Sequence, residues 1–100
     1  MSGRQMTIGP DGHVLIRGAL TFATVSEWLT ASRGLFQPGS NLVFDFSETG
    51  ECDSAAVALL VEWWRRAQQA GCDICFQAVP ASLLAIARLS EVQDLLPLAG

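Results

Sequence analysis

Residues 41–60 read Asn-Leu-Val-Phe-Asp-Phe-Ser-Glu-Thr-Gly-Glu-Cys-Asp-Ser-Ala-Ala-Val-Ala-Leu-Leu, and this stretch decides the fold. The nearly continuous apolar run from Leu42 to Phe46 predicts a central strand that is covered on both faces. A short acidic loop then delivers Asp53 and Ser54 to the start of a long apolar helix. Backbone N–H groups point outward at a helix N-terminus, and the helix dipole favours negative charge there. Ser54 is therefore expected at an exposed helix tip, as a cap, a phosphorylation site or a docking point.

The composition limits the classes of function. One hundred residues, half of them hydrophobic, suffice for a single domain (1–100) with its own core. No apolar run approaches the roughly 20 residues of a membrane-spanning helix, and residues 1–7 carry no signal-peptide core. We expect a cytoplasmic protein, without direct membrane insertion, whose excess apolar surface meets a protein partner. The net charge of −4, with six Arg and no Lys, argues against nucleic acid and anionic lipid as direct ligands.

The three cysteines do not indicate a disulfide framework, because their number is odd and no signal peptide is present. Cys72 and Cys75 have C-x-x-C spacing, but they open a predicted strand rather than a helix, so their sulfurs should point to opposite faces. A zinc site needs four ligands, and only Cys52 and His13 could complete it, without paired spacing. We therefore expect core or surface thiols, no metal and no cofactor.

The rest of the chain alternates strand and helix signals. The predicted elements are strands Gln5–Ile8 and His13–Arg17, a helix from Thr24 to Gly34, the strand Leu42–Phe46, the helix Ser54–Ala70, a strand from Asp73 to Val79, a helix from Pro80 to Leu89, and a short helix opened by Ser90 and closed by Pro97. Thr24 and Ser90 each begin a capping-box pattern. The order ββαβαβαα predicts an α/β fold, with a mixed sheet of about four strands, an N-terminal hairpin and three to four covering helices.

The second helix has more apolar surface than one core face requires. With residues about 100° apart, the core face holds Ala56, Leu59, Leu60, Trp63, Ala67 and Ala70. The outward face and its flank hold Ser54, Val57, Ala58, Val61, Trp64 and Arg65. Either a neighbouring helix of the same domain covers Val57, Val61 and Trp64, or this flank is a docking surface beside Ser54. Trp and Arg are enriched at binding hot spots, which favours the docking surface.

Catalysis has little support in the sequence. His13 is the single histidine, and it lies on a different predicted element from Ser54, without a motif partner. Glu48, Glu51 and Asp53 share an acidic loop without the spacing of paired catalytic carboxylates or of a metal site. We therefore expect that the protein is not an enzyme.

The order of elements, the Gly-Ala-Leu-Thr segment at 18–21 and the segment from Asp45 to Ser54 resemble the STAS domain. That family includes anti-sigma-factor antagonists and the cytoplasmic tails of sulfate transporters, and the resemblance extends from about Gln5 to Pro97. In the antagonists, a partner kinase phosphorylates the serine that matches Ser54. The resemblance therefore implies, as one alternative, an anti-sigma-factor antagonist regulated by phosphorylation of Ser54.

The runs 53–64 and 80–89, followed by Leu-Leu-Pro at 95–97, are similar to the MlaB branch of this family. Members of that branch are small STAS subunits of the ABC transporter that maintains outer-membrane lipid asymmetry in Gram-negative bacteria. The similarity implies a non-enzymatic subunit that binds an MlaF-like ATPase and supports its assembly and activity in phospholipid transport. It also implies a complex with permease and periplasmic lipid-binding subunits, and a peripheral place at the inner membrane through the ATPase.

The partner-binding residues expected from the helix pattern and the resemblance together are Asp53, Ser54, Val57, Ala58, Val61, Trp64 and Arg65. Both branches of the family usually have Gly where Ala56 stands. Because Ala is small and favours helix, we expect the fold to tolerate this difference.

Overall fold

The computed structural model describes residues 5–99, and within that range the chain forms six strands, three α-helices and one 3-10 helix. In chain order these elements are β1 (Gln5–Ile8), β2 (His13–Leu20), α1 (Val25–Ala31), β3 (Asn41–Asp45), β4 (Thr49–Cys52), α2 (Ser54–Ala70), β5 (Asp73–Gln77), α3 (Ala81–Leu89), the 3-10 helix (Gln93–Leu95) and β6 (Leu98–Ala99). The α/β class is confirmed.

The sheet is mixed and begins with the expected hairpin. β1 pairs antiparallel with β2, while the pairs β2–β3, β3–β5 and β5–β6 are parallel, so the strand order is β1-β2-β3-β5-β6. The hairpin turn needs Gly12, whose φ of 75° lies in the left-handed region, and a Cβ there would collide with the carbonyl of Asn41. The Gly12 carbonyl accepts a hydrogen bond from the backbone N–H of Val43 at 2.9 Å, which ties the turn to β3.

The core joins one face of the sheet to the helices. Phe44 of β3 and Trp63 of α2 are both fully buried, and their rings meet edge to face with centroids 4.8 Å apart. The indole N–H of Trp63 donates to the hydroxyl of Ser32, just beyond α1, at 2.8 Å. α2 contacts both α1 and α3, so it is the middle helix of the layer.

The expectation that the strand at 42–46 is covered on both faces is wrong. Burial alternates along β3: Leu42 and Phe44 are buried, whereas Val43 and Asp45 remain partly exposed. Buried residues of all three helices, among them Trp28, Trp63 and Leu83, belong to the same core cluster as Leu42 and Phe44, so the helices cover one face of the sheet.

Two strands are absent from the predicted order ββαβαβαα. β4 was expected to be loop, and it becomes a strand only because it pairs with the end of β2, with Gly18 opposite Thr49 and Leu20 opposite Cys52. β6 is a two-residue strand beside Phe76 and Gln77 of β5. The Thr-Gly-Glu-Cys sequence of β4 lacks the alternation of apolar and polar residues that identifies a strand, and β6 is too short to show it.

Neither predicted capping box forms. The hydroxyl of Thr24 donates to the carbonyl of Ala19 at 2.8 Å instead of capping α1. The hydroxyl of Ser90 donates to the carbonyl of Ile86 at 2.9 Å, and the short helix expected after it is the 3-10 helix. In contrast, α2 begins and ends as predicted, with Gly71 in the left-handed conformation that closes a helix.

Candidate partner-binding site

Asp53, not Ser54, caps α2. Asp53 has an extended backbone, and its Oδ1 accepts a hydrogen bond from the backbone N–H of Ala55 at 2.8 Å. Ser54 is the first residue of the helix and is exposed. Its hydroxyl makes no hydrogen bond to another residue in the range 5–99. The interpretation of Ser54 as a cap is therefore wrong, and its hydroxyl is accessible to a partner or a modifying enzyme.

The second oxygen of Asp53 binds a neighbouring loop. Oδ2 accepts a hydrogen bond from the backbone N–H of Phe22 at 3.1 Å, and the backbone N–H of Asp53 donates to the carbonyl of Leu20 at 3.2 Å. The loop that follows β2 and the tip of α2 therefore form one surface. Phe22 leaves 73% of its area exposed on that surface.

Phe22 was missed because all the residues expected at the interface, apart from the cap Asp53, lay on the predicted long helix. An isolated aromatic residue between a strand and the start of a helix is a weak signal in sequence. Its place beside α2 is fixed by a tertiary hydrogen bond from its backbone N–H to Asp53, which the sequence does not reveal.

The outward face of α2 is narrower than the helix pattern predicts. Ser54 and Ala58 are exposed, and Val61 and Trp64 are partly exposed. Val57 is only 6% exposed and belongs to the core cluster, so its expected place on an open flank is wrong. The physical reason is that neighbouring helices pack along α2 and cover part of its flank.

The cations at the far end of this face are already paired. Arg65 Nη2 lies 2.9 Å from Glu62 Oε1, and Arg66 Nε lies 3.0 Å from Glu62 Oε2. The hydrogen bonds from Arg65 and then from Arg66 lower the pKa of Glu62. Arg66 also turns towards α1, where it donates to the carbonyl of Leu29 at 3.4 Å. Arg65 therefore reaches the rim of the candidate site as half of an ion pair, not as a free cation.

Acidic side chains occur in and beside β4, the strand that pairs with the end of β2. Glu51 of β4 is exposed and makes no ion pair with any residue of the described part of the chain. Glu48 pairs with Arg17 at 2.9 Å, and both side chains are about half exposed. Burial, and then the charges of Asp53 and Glu51, raise the pKa of the Cys52 thiol. Cys52 is thus a poor nucleophile at neutral pH, since the thiolate is the reactive form.

No group of three or more His, Cys, Asp or Glu side chains that could hold a metal ion is found between residues 5 and 99. The three cysteines are free thiols. His13 lies 3.1 Å from Asp45, at the opposite end of β2 from Leu20, roughly 23 Å away at about 3.3 Å per residue. Because Leu20 is hydrogen-bonded to Asp53, His13 is too distant to act on Ser54.

Solved structures with the same fold include two anti-sigma factor antagonists. A putative antagonist from Thermotoga maritima aligns with a TM-score of 0.72 at 11% identity, over 95% of this chain and 84% of that chain. SpoIIAA in its unphosphorylated form aligns with a TM-score of 0.61 at 15% identity, over 86% and 82% of the two chains. At such identities the likeness establishes the fold, which is the STAS fold: a mixed sheet with an N-terminal hairpin and three helices. STAS domains are typically non-catalytic modules that regulate or bind other proteins.

The sequence also shows to which family of STAS domains the chain belongs. The family model described as "Mlab, STAS domain" matches residues 7–97, and the chain therefore belongs to the Mlab family of STAS domains. No curated protein matches the sequence closely enough to count as a relative. No helix in the described range has the length and apolar character needed to cross a membrane.

Proposed function

We propose that this chain is a non-enzymatic STAS subunit that binds the ATPase of a phospholipid ABC transporter. It supports the assembly and activity of that transporter, which maintains outer-membrane lipid asymmetry. The observation that carries the proposal is the match to the Mlab family over residues 7–97. In this proposal residues 1–100 act as one STAS domain in the cytoplasm, held at the inner membrane only through the ATPase.

The surface that fits this role is the tip and outward face of α2, formed by Asp53, Ser54, Ala58, Val61, Trp64 and Arg65. The first two turns of α2 carry no charged side chain, and Ser54 and Ala58 are small enough for a partner backbone to approach closely. Docking there would stabilise one conformation or dimer arrangement of the ATPase and raise its population. No chemistry by this chain is needed for that effect.

A matched pair of variants tests the docking site. Ser54→Arg places a bulky cation at the positive end of α2 and inside the contact surface. Ser82→Arg makes the same change in the first turn of α3, where Ser82 is also exposed. We expect Ser54→Arg to abolish capture of the ATPase in a pull-down and Ser82→Arg to leave it intact, with both variants folded by circular dichroism. Capture of the ATPase by Ser54→Arg at the wild-type level would contradict the site assignment.

A second function is favoured by one observation, the exposed hydroxyl of Ser54 that makes no hydrogen bond to a described residue. An anti-sigma-factor antagonist regulated by phosphorylation of Ser54 needs such a group. Ser54→Glu separates the two functions. In a constitutive subunit it weakens assembly, whereas in a phosphorylation switch it reproduces the modified state, and a dedicated kinase labels the wild type but not the variant. The neighbouring genes give an independent test: an ATPase and a permease, or a kinase and a sigma factor.

A further inference from the structure

Phe22 is an exposed aromatic side chain on a well-tethered loop. Its ring is 73% exposed. The hydroxyl of Thr24 and the indole N–H of Trp28 both donate to the carbonyl of Ala19, each at 2.8 Å. The hydroxyl of Thr24 also accepts a hydrogen bond from the backbone N–H of Thr21 at 3.0 Å. These bonds hold the loop on both sides of Phe22, so ordering the backbone of this loop adds little to the entropy cost of binding.

Asp53 holds Phe22 beside the tip of α2. One carboxylate accepts hydrogen bonds from the backbone N–H groups of both Phe22 and Ala55, at 3.1 Å and 2.8 Å. The Phe22 loop and the first turn of α2 therefore lie within a few ångströms of each other. A partner that approaches the tip of α2 from the side of this loop would contact both Ser54 and Phe22.

We propose that Phe22 is an anchor of the ATPase interface and that Asp53 is the residue that positions it. This inference rests on the proposed function and adds a residue outside α2 to its site. The occupant is a surface of the ATPase with an apolar cleft for the ring and basic side chains at the rim of that cleft. Charge complementarity calls for the basic rim, because Glu51, two residues before Asp53 in the chain, is exposed and makes no ion pair with a described residue.

The same charges argue against two other occupants. An anionic bilayer surface repels a chain with a net charge of −4, and the exposed Glu51 lies two residues from the Asp53 that binds the Phe22 loop. A second copy of this chain, docked through the same surface, would bring two exposed Glu51 carboxylates together, while Arg65 on that surface is already paired with Glu62. Neither an anionic bilayer nor a second copy of this chain supplies the positive charge that would complement Glu51.

The test measures affinity for the purified ATPase of the phospholipid ABC transporter from the same organism. Phe22→Ala should weaken binding by about 30-fold or more, as truncation of an aromatic hot spot does. Leu89→Ala is the matched control, because Leu89 is a large apolar residue that is 86% exposed at the end of α3. Its affinity should stay within about twofold of wild type. Both variants should keep the wild-type circular dichroism spectrum, since neither removes a buried side chain.

A double-mutant cycle tests the role of Asp53. Asp53→Asn keeps a good helix cap but weakens the hydrogen bonds that join the Phe22 loop to α2. Any loss of affinity that acts through Phe22 should therefore be absent when Asp53→Asn is made in the Phe22→Ala variant. If Asp53→Asn lowers the ATPase affinity by the same factor in the wild type and in the Phe22→Ala variant, the positioning role is overturned. Phe22→Leu, which keeps an apolar side chain, should recover part of the affinity lost in Phe22→Ala.

The outcomes separate this inference from the function on which it rests. Failure of the wild type to bind the ATPase overturns the proposed function. Wild-type affinity of Phe22→Ala, when Ser54→Arg has lost binding, overturns the anchor alone. Binding to phosphatidylglycerol vesicles that depends on Phe22, with unchanged ATPase affinity, assigns the ring to a membrane and also overturns the proposal.

Discussion

Because Asp53 caps α2 and Ser54 does not, substitutions at these two adjacent residues should change the free energy of unfolding by different amounts. Asp53→Ala removes two hydrogen bonds to a carboxylate, one from the backbone N–H of Ala55 and one from that of Phe22. Loss of a helix cap destabilises proteins by about 0.5–2 kcal/mol. The second bond adds about 1 kcal/mol at this partly exposed site. We therefore expect Asp53→Ala to lower the free energy of unfolding by about 2 kcal/mol.

Ser54→Ala should behave differently, although Ser54 is the next residue. Its hydroxyl is exposed and makes no hydrogen bond to another described residue. Because Ala also favours helix more than Ser does, the free energy of unfolding should stay within about 0.5 kcal/mol of wild type. Asp53→Asn completes the series, since Asn is as good a cap as Asp, and it should lose less than Asp53→Ala.

Guanidinium unfolding followed by far-ultraviolet circular dichroism measures all three variants. In a domain of this size, 2 kcal/mol corresponds to a fall in Tm of about 10 °C, which a thermal melt resolves easily. Equal destabilisation by Asp53→Ala and Ser54→Ala would refute the reasoning, because it would mean that the serine hydroxyl shares the capping. A negligible effect of Asp53→Ala would refute it as well, because the two hydrogen bonds would then contribute nothing to the free energy of unfolding.

Two further predictions concern the body of α2. Ser32→Ala should lower the free energy of unfolding by about 1–3 kcal/mol in guanidinium, because the buried indole N–H of Trp63 loses its acceptor; a change under about 0.5 kcal/mol would contradict the role of this contact. Arg65, and then Arg66, lower the pKa of Glu62 from its ordinary value of 4.5. The ionised carboxylate therefore stabilises the folded state above pH 4.5, and this contribution is lost as the pH falls through the lowered pKa. The difference in unfolding free energy between wild type and Glu62→Gln, about 0.5 kcal/mol for ion pairs that water still reaches, should therefore shrink between pH 6 and pH 3. A difference that stays constant over this range would count against the pairing.

The parts of the fold that sequence predicts are those with local signals. α2 begins after an Asp-Ser pair and ends at Gly71, and both signals act within a few residues of the chain. The hairpin of β1 and β2 follows from a turn in which Gly12 tolerates a positive φ. β4 has no such local signal: it pairs with the end of β2, across more than 30 residues of chain, and only that contact makes it a strand.

The capping boxes show why a correct pattern can still mislead. Thr24 has the right spacing to cap α1, but its hydroxyl finds the carbonyl of Ala19 at the end of β2. Ser90 likewise bonds back to the carbonyl of Ile86 within the helix that precedes it. Such local alternatives compete with capping, and the choice between them depends on tertiary packing, which the sequence pattern does not contain.

The width of α2's outward face determines what else an interface here must include. Val57 is 6% exposed, so Ser54, Ala58 and Val61 form only a narrow stripe of small side chains. A stable protein interface buries about 800 Å² on each partner, far more than such a stripe provides. Adjacent elements must therefore contribute, and the loop tethered by Asp53 lies next to the stripe with Phe22 73% exposed. If Ser54→Arg abolishes ATPase binding, a contact of that size extends either over the Phe22 loop or along α2 towards Trp64. Loss of binding in Ser54→Arg with wild-type affinity in Phe22→Ala would therefore mean that the partner approaches α2 from the side of Trp64.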